Sequence, residues 1–147
     1  MVAQPTTIQH TTVVAGTVLT LLADTNHIPV DADLEFHTRD PYAVRMVFTI
    51  TGCPSVEWVF SRELLVAGLT GPAGMGDVQV LPVHDGILIE LSSPGGSARL
   101  LVPPAELTTF VMDTLAAVPL GSEAEYFDLD TEIALLTGLD APGRPLH

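Results

Sequence analysis

The sequence predicts an α+β fold, with two antiparallel β-sheets and helices segregated to one side. Three observations predict it. Apolar and β-branched residues come in short runs of strand length, these runs form two groups, and a helical stretch follows each group. The turns inside each group are too short for the crossovers of a dozen or more residues that parallel strands need. In order along the chain, Met1 to Pro5 carry no periodic pattern and read as a disordered start. Ile8 to Leu22 mixes Val, Thr and Leu densely enough for a long strand buried on part of both faces. Asp24, Asn26 and Pro29 mark Ala23 to Val30 as a loop, after which Leu34 to His37 reads as a short strand ending at Asp40-Pro41. Tyr42 to Ile50 and Val56 to Phe60 read as two strands joined through Gly52-Cys53-Pro54-Ser55.

Ser61 is placed to cap a short helix, Arg62 to Ala67, because its hydroxyl can satisfy an orphan amide of the first turn, and Gly68 supplies the stop. Asp77 to Val83, Ile87 to Ser92 and Ala98 to Val102 form a second group of strands, separated by the turn signals Asp85-Gly86 and Pro94-Gly95-Gly96. Pro103-Pro104 opens a helix at its permitted first turn. Leu107, Phe110, Val111, Thr114, Leu115 and Val118 recur on one of its faces, which must pack on a sheet. After a loop from Pro119 to Phe127, Asp128, Asp130 and Glu132 crowd the start of a last helix, where negative charge complements the helix dipole, and Ile133 and Leu136 give it an apolar stripe.

The 147 residues form a single predicted domain, long enough to bury roughly 68–70% of the surface of the unfolded chain. Composition narrows the possible partners. Eighteen acids face five basic residues, for a net charge of −13; all five cations are arginines (Arg39, Arg45, Arg62, Arg99, Arg144), scattered singly. Three arginines and seven acids precede Gly76, and two and eleven follow Met75, so the negative field grows toward the C-terminus. Nucleic-acid affinity depends on clustered cations that displace counterions, and this chain is expected to repel phosphate. Charged residues make up only 16% and mean hydropathy is +0.41, a balance that predicts a homo-oligomer hiding apolar surface. Cys53 stands alone, so no intrachain disulfide forms, and a reducing cytoplasm fits. The longest apolar stretch, Val13 to Ala23, is too short to span a membrane, so no direct insertion is expected.

No catalytic, cofactor or metal site is predicted. Gly71, Gly74 and Gly76 have the wrong spacing for a phosphate loop and no lysine follows them, so they read as a hairpin or lid loop. Asp128-Leu129-Asp130 starts like a calcium loop, but Ile133 and Leu139 stand where glycine and glutamate are required. The five histidines show no zinc-ligand spacing, Ser92-Ser93 is not a nucleophile elbow, and no cation adjoins Cys53. Strand alternation puts Val56, Trp58 and Phe60 on one face. That face is either core or a subunit or partner interface anchored by Trp58 with Arg62, residue types enriched in binding hot spots.

Particular strings carry more than their physics. DPYAVRMVF (Asp40 to Phe48), VEWVFSRELLVAGL (Val56 to Leu69), GDVQVLP (Gly76 to Pro82), the SSPGG turn and FDLDTEIALL (Phe127 to Leu136) together resemble the SsgA-like proteins of sporulating actinomycetes, in the same order from about Thr7 to Gly138. The resemblance implies a non-catalytic cell division adaptor, without cofactor, that marks future septum sites and recruits the tubulin-like protein FtsZ. SsgA-type relatives would assist it, and a membrane-bound septal partner would hold it in place. It also implies a bell-shaped homotrimer with a fold similar to the Whirly single-stranded-DNA-binding proteins. A nucleic-acid-binding module is therefore the alternative function, but it would need basic grooves and exposed stacking aromatics, and seven of the eight aromatics here fall within predicted elements or at their ends. FtsZ-type proteins are acidic too, so the expected contact is apolar and hydrogen-bonded rather than electrostatically steered. Candidate contacts are Trp58 and Arg62 at the strand-to-helix junction and Glu123, Glu125 and Tyr126 in the loop before the last helix.

Overall fold

The computed structural model describes residues 9–127 together with Ile133 and Leu136. Its order is β1 (Thr12–Leu22), β2 (His27–His37), β3 (Ala43–Thr49), β4 (Val56–Ser61), α1 (Arg62–Gly68), β5 (Val78–Val83), β6 (Gly86–Ser93), β7 (Gly96–Val102), α2 (Pro104–Ala117) and α3 (Glu123–Tyr126). Both predicted meanders are present, one made of β1 to β4 and the other of β5 to β7. They do not form separate sheets. β1 pairs with β7 through Thr20↔Leu101 and Leu21↔Leu100, which joins the meanders into one seven-stranded antiparallel sheet, ordered β4-β3-β2-β1-β7-β6-β5. The last turn of β1 and the end of β7 each have an open edge, and pairing satisfies backbone groups that would otherwise face no partner.

The expected loop from Ala23 to Val30 is a second correction. The turn occupies only residues 23–26, and β2 is an eleven-residue strand that includes Pro29. Proline is tolerated because Pro29 faces Thr20 in a pair not hydrogen-bonded to β1, while β3 begins pairing with β2 only at Asp31, so no ladder donor is lost. The short helix α3 lies where the sequence predicts a loop. Most of the expected final helix lies outside the described residues. Ile133 and Leu136, which do not, are helical but exposed rather than buried.

The core lies on one face of the sheet. Leu19 of β1, Val30, Leu34 and Phe36 of β2, Val44 and Met46 of β3, and Ile89 of β6 are all buried there, each contributing roughly 1.5–3 kcal/mol. Both longer helices cover this face, as the sequence predicts. Leu107, Phe110, Val111 and Thr114 of α2 are buried, as is the following Val118, and Leu115 packs at the margin. Ser61 caps α1, its hydroxyl accepting the Leu64 N–H at 3.3 Å. The helix then approaches β5 so closely that a Cβ on Gly68 would lie 2.3 Å from Val80 Cγ1. The glycine-rich segment 70–77 turns the chain back to β5. Gly74, at φ +97°, is required there because a Cβ would meet the Val78 carbonyl at 2.4 Å.

The opposite face is exposed over much of β1 to β4, while Leu88 of β6 is buried on it. Across β2, β3 and β4 it carries a charge ladder in which Arg45 donates to Glu57 at 2.7 Å and to Glu35 at 3.2 Å. The hydrogen bond and charge of Glu57, followed by the charge of Glu35, raise the Arg45 pKa against a smaller cost of desolvation. Val14, Val18 and Val59 stand exposed on the same face.

Candidate functional site

Arg62 is the first residue of α1, and its chain direction is set by its own N–H, which donates to the Tyr42 carbonyl at 2.8 Å. From there the side chain runs inward. The guanidinium is 1% exposed and lies 4.9 Å from the Phe36 ring centroid. Its Nη1 donates to the carbonyls of Thr114 at 3.0 Å and Val118 at 2.6 Å, two C-terminal acceptors of α2 whose partial negative charge suits a cation. Nη2 donates to Glu123 Oε2 at 3.0 Å, and Nε has no hydrogen-bond partner. One side chain thus ties β2, the β4–α1 junction, the end of α2 and the start of α3 together.

Glu123 closes this hub. Its other carboxylate oxygen accepts the Gly121 N–H at 2.7 Å, so both oxygens are engaged while the side chain keeps 14% of its exposure. Burial pushes the Glu123 carboxyl up, but the hydrogen bonds from its own backbone N–H, from Arg62 and from Gly121, together with the Arg62 charge, outweigh this and hold it below the usual carboxylate range. Outside the pair, Tyr42, Ser61, Glu63, Leu120 and Gly121 line a shallow cleft of about 320 Å³. Tyr42 and Leu120 stay half exposed at its rim, and the Tyr42 ring meets Phe127 edge-on at 6.0 Å.

The sequence-predicted residues therefore separate into an anchor and a surface. Arg62 and Glu123 are joined directly, and Arg62 is interior rather than a surface hot spot. Trp58 pairs in register with Met46 and packs, half buried, against the core; Tyr126 of α3 also packs against the core; Glu125 is exposed. Phe36, Thr114, Val118 and Tyr42 take part in the site with no sequence signal for that role, because a buried arginine leaves no periodic pattern to reveal its carbonyl partners. Among the described residues no three His, Cys, Asp or Glu side chains are grouped to hold a metal ion, and no helix is long and apolar enough to cross a membrane.

The family described as Streptomyces sporulation and cell division protein, SsgA, matches residues 30–123. The chain belongs to the SsgA family. The matched range runs from β2 to Glu123 and so includes both members of the buried ion pair. Among curated relatives, the sporulation-specific cell division protein SsgB of Salinispora tropica is 44% identical over 139 residues, covering 89% of this chain and 97% of that one. SsgB of Frankia casuarinae is 40% identical over 135 residues, covering 88% and 94%. Two solved structures share the fold of this SsgA-family chain. The SsgA-like sporulation-specific cell division protein of Thermobifida fusca aligns with a TM-score of 0.77 at 39% identity, covering 86% of this chain and 96% of the other. SsgB of Streptomyces coelicolor, whose mutations correlate to longitudinal cell division during sporulation, aligns with a TM-score of 0.75 at 41% identity, covering 84% and 100%.

Proposed function

We propose that this chain is a non-catalytic adaptor of sporulation-specific cell division, which marks future septum sites from the cytoplasmic side and recruits FtsZ to them. SsgA-type relatives assist, and a membrane-bound septal partner holds it in place. The observation that carries this reading is identity of 40–44% over 88–89% of the chain to relatives named sporulation-specific cell division protein SsgB. The working form is a bell-shaped homotrimer of Whirly-like layout. Two meanders joined at a narrow seam, a low content of charge, and the exposed Val59 and Met112 support it. The FtsZ contact is built from Trp58, Glu125 and Tyr126. The Arg62–Glu123 pair ties the start of α3, which carries Glu125 and Tyr126, to the end of α2, and a surface fixed in advance loses less entropy on binding. No observation favours nucleic acid as the ligand.

Co-sedimentation of FtsZ polymers with the full chain, combined with light scattering on the same sample, tests the reading. The chain is expected to pellet with FtsZ and to scatter as a trimer. Trp58→Ala and Glu125→Lys, first shown to melt as folded proteins, should each reduce the pelleted fraction at least three-fold. A chain that stays in the supernatant at saturating FtsZ refutes the adaptor. Variants that pellet normally move the contact away from α3.

A further inference from the structure

We propose that the open edge of β1 is a strand-addition site for an extended, basic segment of a partner protein, distinct from the surface around α3. Backbone parity is the first observation. At the two ends of the β1–β2 hairpin, the Thr38 N–H donates to the Thr11 carbonyl and the Ala23 N–H to the Asn26 carbonyl, both at 3.0 Å. In an antiparallel ladder this makes the odd-numbered residues of β1 the ones bonded to β2. Val14, Gly16, Val18 and Thr20 therefore turn their N–H and C=O groups the other way. Thr20 meets Leu101 of β7, but the β7 pairing extends no further than Thr20 and Leu21. Val14, Gly16 and Val18 have no strand partner among the described residues.

A groove follows this edge. A hollow of about 600 Å³ lies between Gly16, Val18, Asp31 and Asp33 on one side and Pro103 and Glu106 on the other. A second, of about 300 Å³, continues from Gly16 and Glu106 along Thr109 and Asp113 of α2. Gly16 leaves the backbone bare in the middle of the edge, and a glycine inside a strand marks a place where another backbone can come close. Val14 and Val18, 62% and 53% exposed, flank it as seats for alternate side chains of an added strand. Charge identifies the occupant. Asp31, Asp33, Glu106 and Asp113 line the groove, and none of the described arginines does. Natural edges are usually blunted by lysine, proline or a bulge, and residues 13–19 have none of these. Glu106 accepts a hydrogen bond from the Thr17 hydroxyl and no groove carboxylate pairs with a described arginine, so an arginine- or lysine-bearing strand satisfies both the open ladder and the charge.

The probe is a fluorescein-labelled decapeptide of alternating arginine and valine, titrated into the full chain by anisotropy. The same arginine–valine sequence N-methylated at every backbone amide, of equal charge and unable to donate to a ladder, is the control. The arginine–valine peptide should bind at least ten-fold more tightly. Gly16→Pro removes a donor from the free edge without touching the β1–β2 ladder and should weaken binding ten-fold or more. Asp33→Asn and Glu106→Gln should each weaken it about three-fold, and Asp85→Asn, in the β5–β6 turn, should leave it unchanged. If Gly16→Pro does not fold, amide exchange on the unaltered chain decides: bound peptide should slow Val14, Gly16 and Val18 selectively. Equal affinity for the two peptides, protection elsewhere, or a Gly16→Pro variant with altered self-association and intact peptide binding would overturn the proposal. The last result would assign the edge to a second copy of the chain.

Discussion

Arg62 shows how one residue can be identified correctly as unusual and still be misread in role. Its residue type and its place after Trp58 suggest a hot spot on the surface; the fold instead makes it an internal clamp whose removal strands the end of α2. Arg62→Ala is expected to cost about 3 kcal/mol or more, because Glu123 and two helix-terminal carbonyls lose their donor. In a chain of this size that lowers the melting temperature by roughly 6–12 °C, which calorimetry can check. Glu123→Gln should be milder, about 1–2 kcal/mol near neutral pH, since the amide carbonyl can still accept from Arg62. The folded state holds the Glu123 carboxyl below its unfolded value of about 4.3. Its stabilisation is thus complete above that pH and disappears as pH falls through the lower folded value. Denaturant titrations between pH 2 and pH 7 should show the native chain losing this increment in acid and Glu123→Gln losing none of it, so the two curves converge at low pH.

At the scale of elements, the local rules read most of the chain. The capping serine, the paired prolines and the apolar spacing of α2 place both longer helices, because each signal acts within a few residues. They mislead at Pro29, where a turn signal falls on a strand position whose nitrogen side faces no paired strand, and at residues 119–127, where α3 depends on the hydrogen bond from Ser122 to Pro119 and on the Arg62–Glu123 pair rather than on any periodic pattern. The α1–β5 contact gives a sharp test. Gly68→Ala places a methyl 2.3 Å from Val80 Cγ1, and overpacking of this kind should cost about 1–3 kcal/mol. Val80→Ala leaves a cavity on its own; in the double variant it removes the Cγ1 contact but leaves Val80 Cβ at 2.5 Å and the Val80 carbonyl at 3.1 Å from the new methyl, so the clash is only partly relieved. A double-mutant cycle should therefore show a loss smaller than the sum of the two single losses; additive losses would mean that the helix does not touch the strand this closely.

For the whole molecule, charge and oligomeric state carry the functional argument. A chain of net charge −13 and an acidic polymer gain nothing from long-range steering, so affinity for FtsZ should change less than ten-fold between low and physiological salt, or rise with screening. Sedimentation at two ionic strengths measures this. The peptide groove on β1 should behave in the opposite way, weakening as salt rises, which allows the two surfaces to be told apart in one experiment. Short single-stranded oligonucleotides should show no anisotropy change at micromolar protein, because the described arginines are separated and one of them is entirely buried.

The sequence alone determined the antiparallel character of the strands, the two helices that cover them, the apolar face that α2 buries, and the lack of clustered cations. All of these follow from patterns repeated every two or every three to four residues, or from composition. The tertiary structure alone decided that the two meanders form one sheet, that Arg62 is an interior clamp, and that β1 keeps an open edge. Each of those depends on a meeting of distant parts of the chain, such as Arg62 with Glu123 across 61 residues or β1 with β7, where the free energy of the contact outweighs local preference and leaves no trace in the spacing of neighbouring residues.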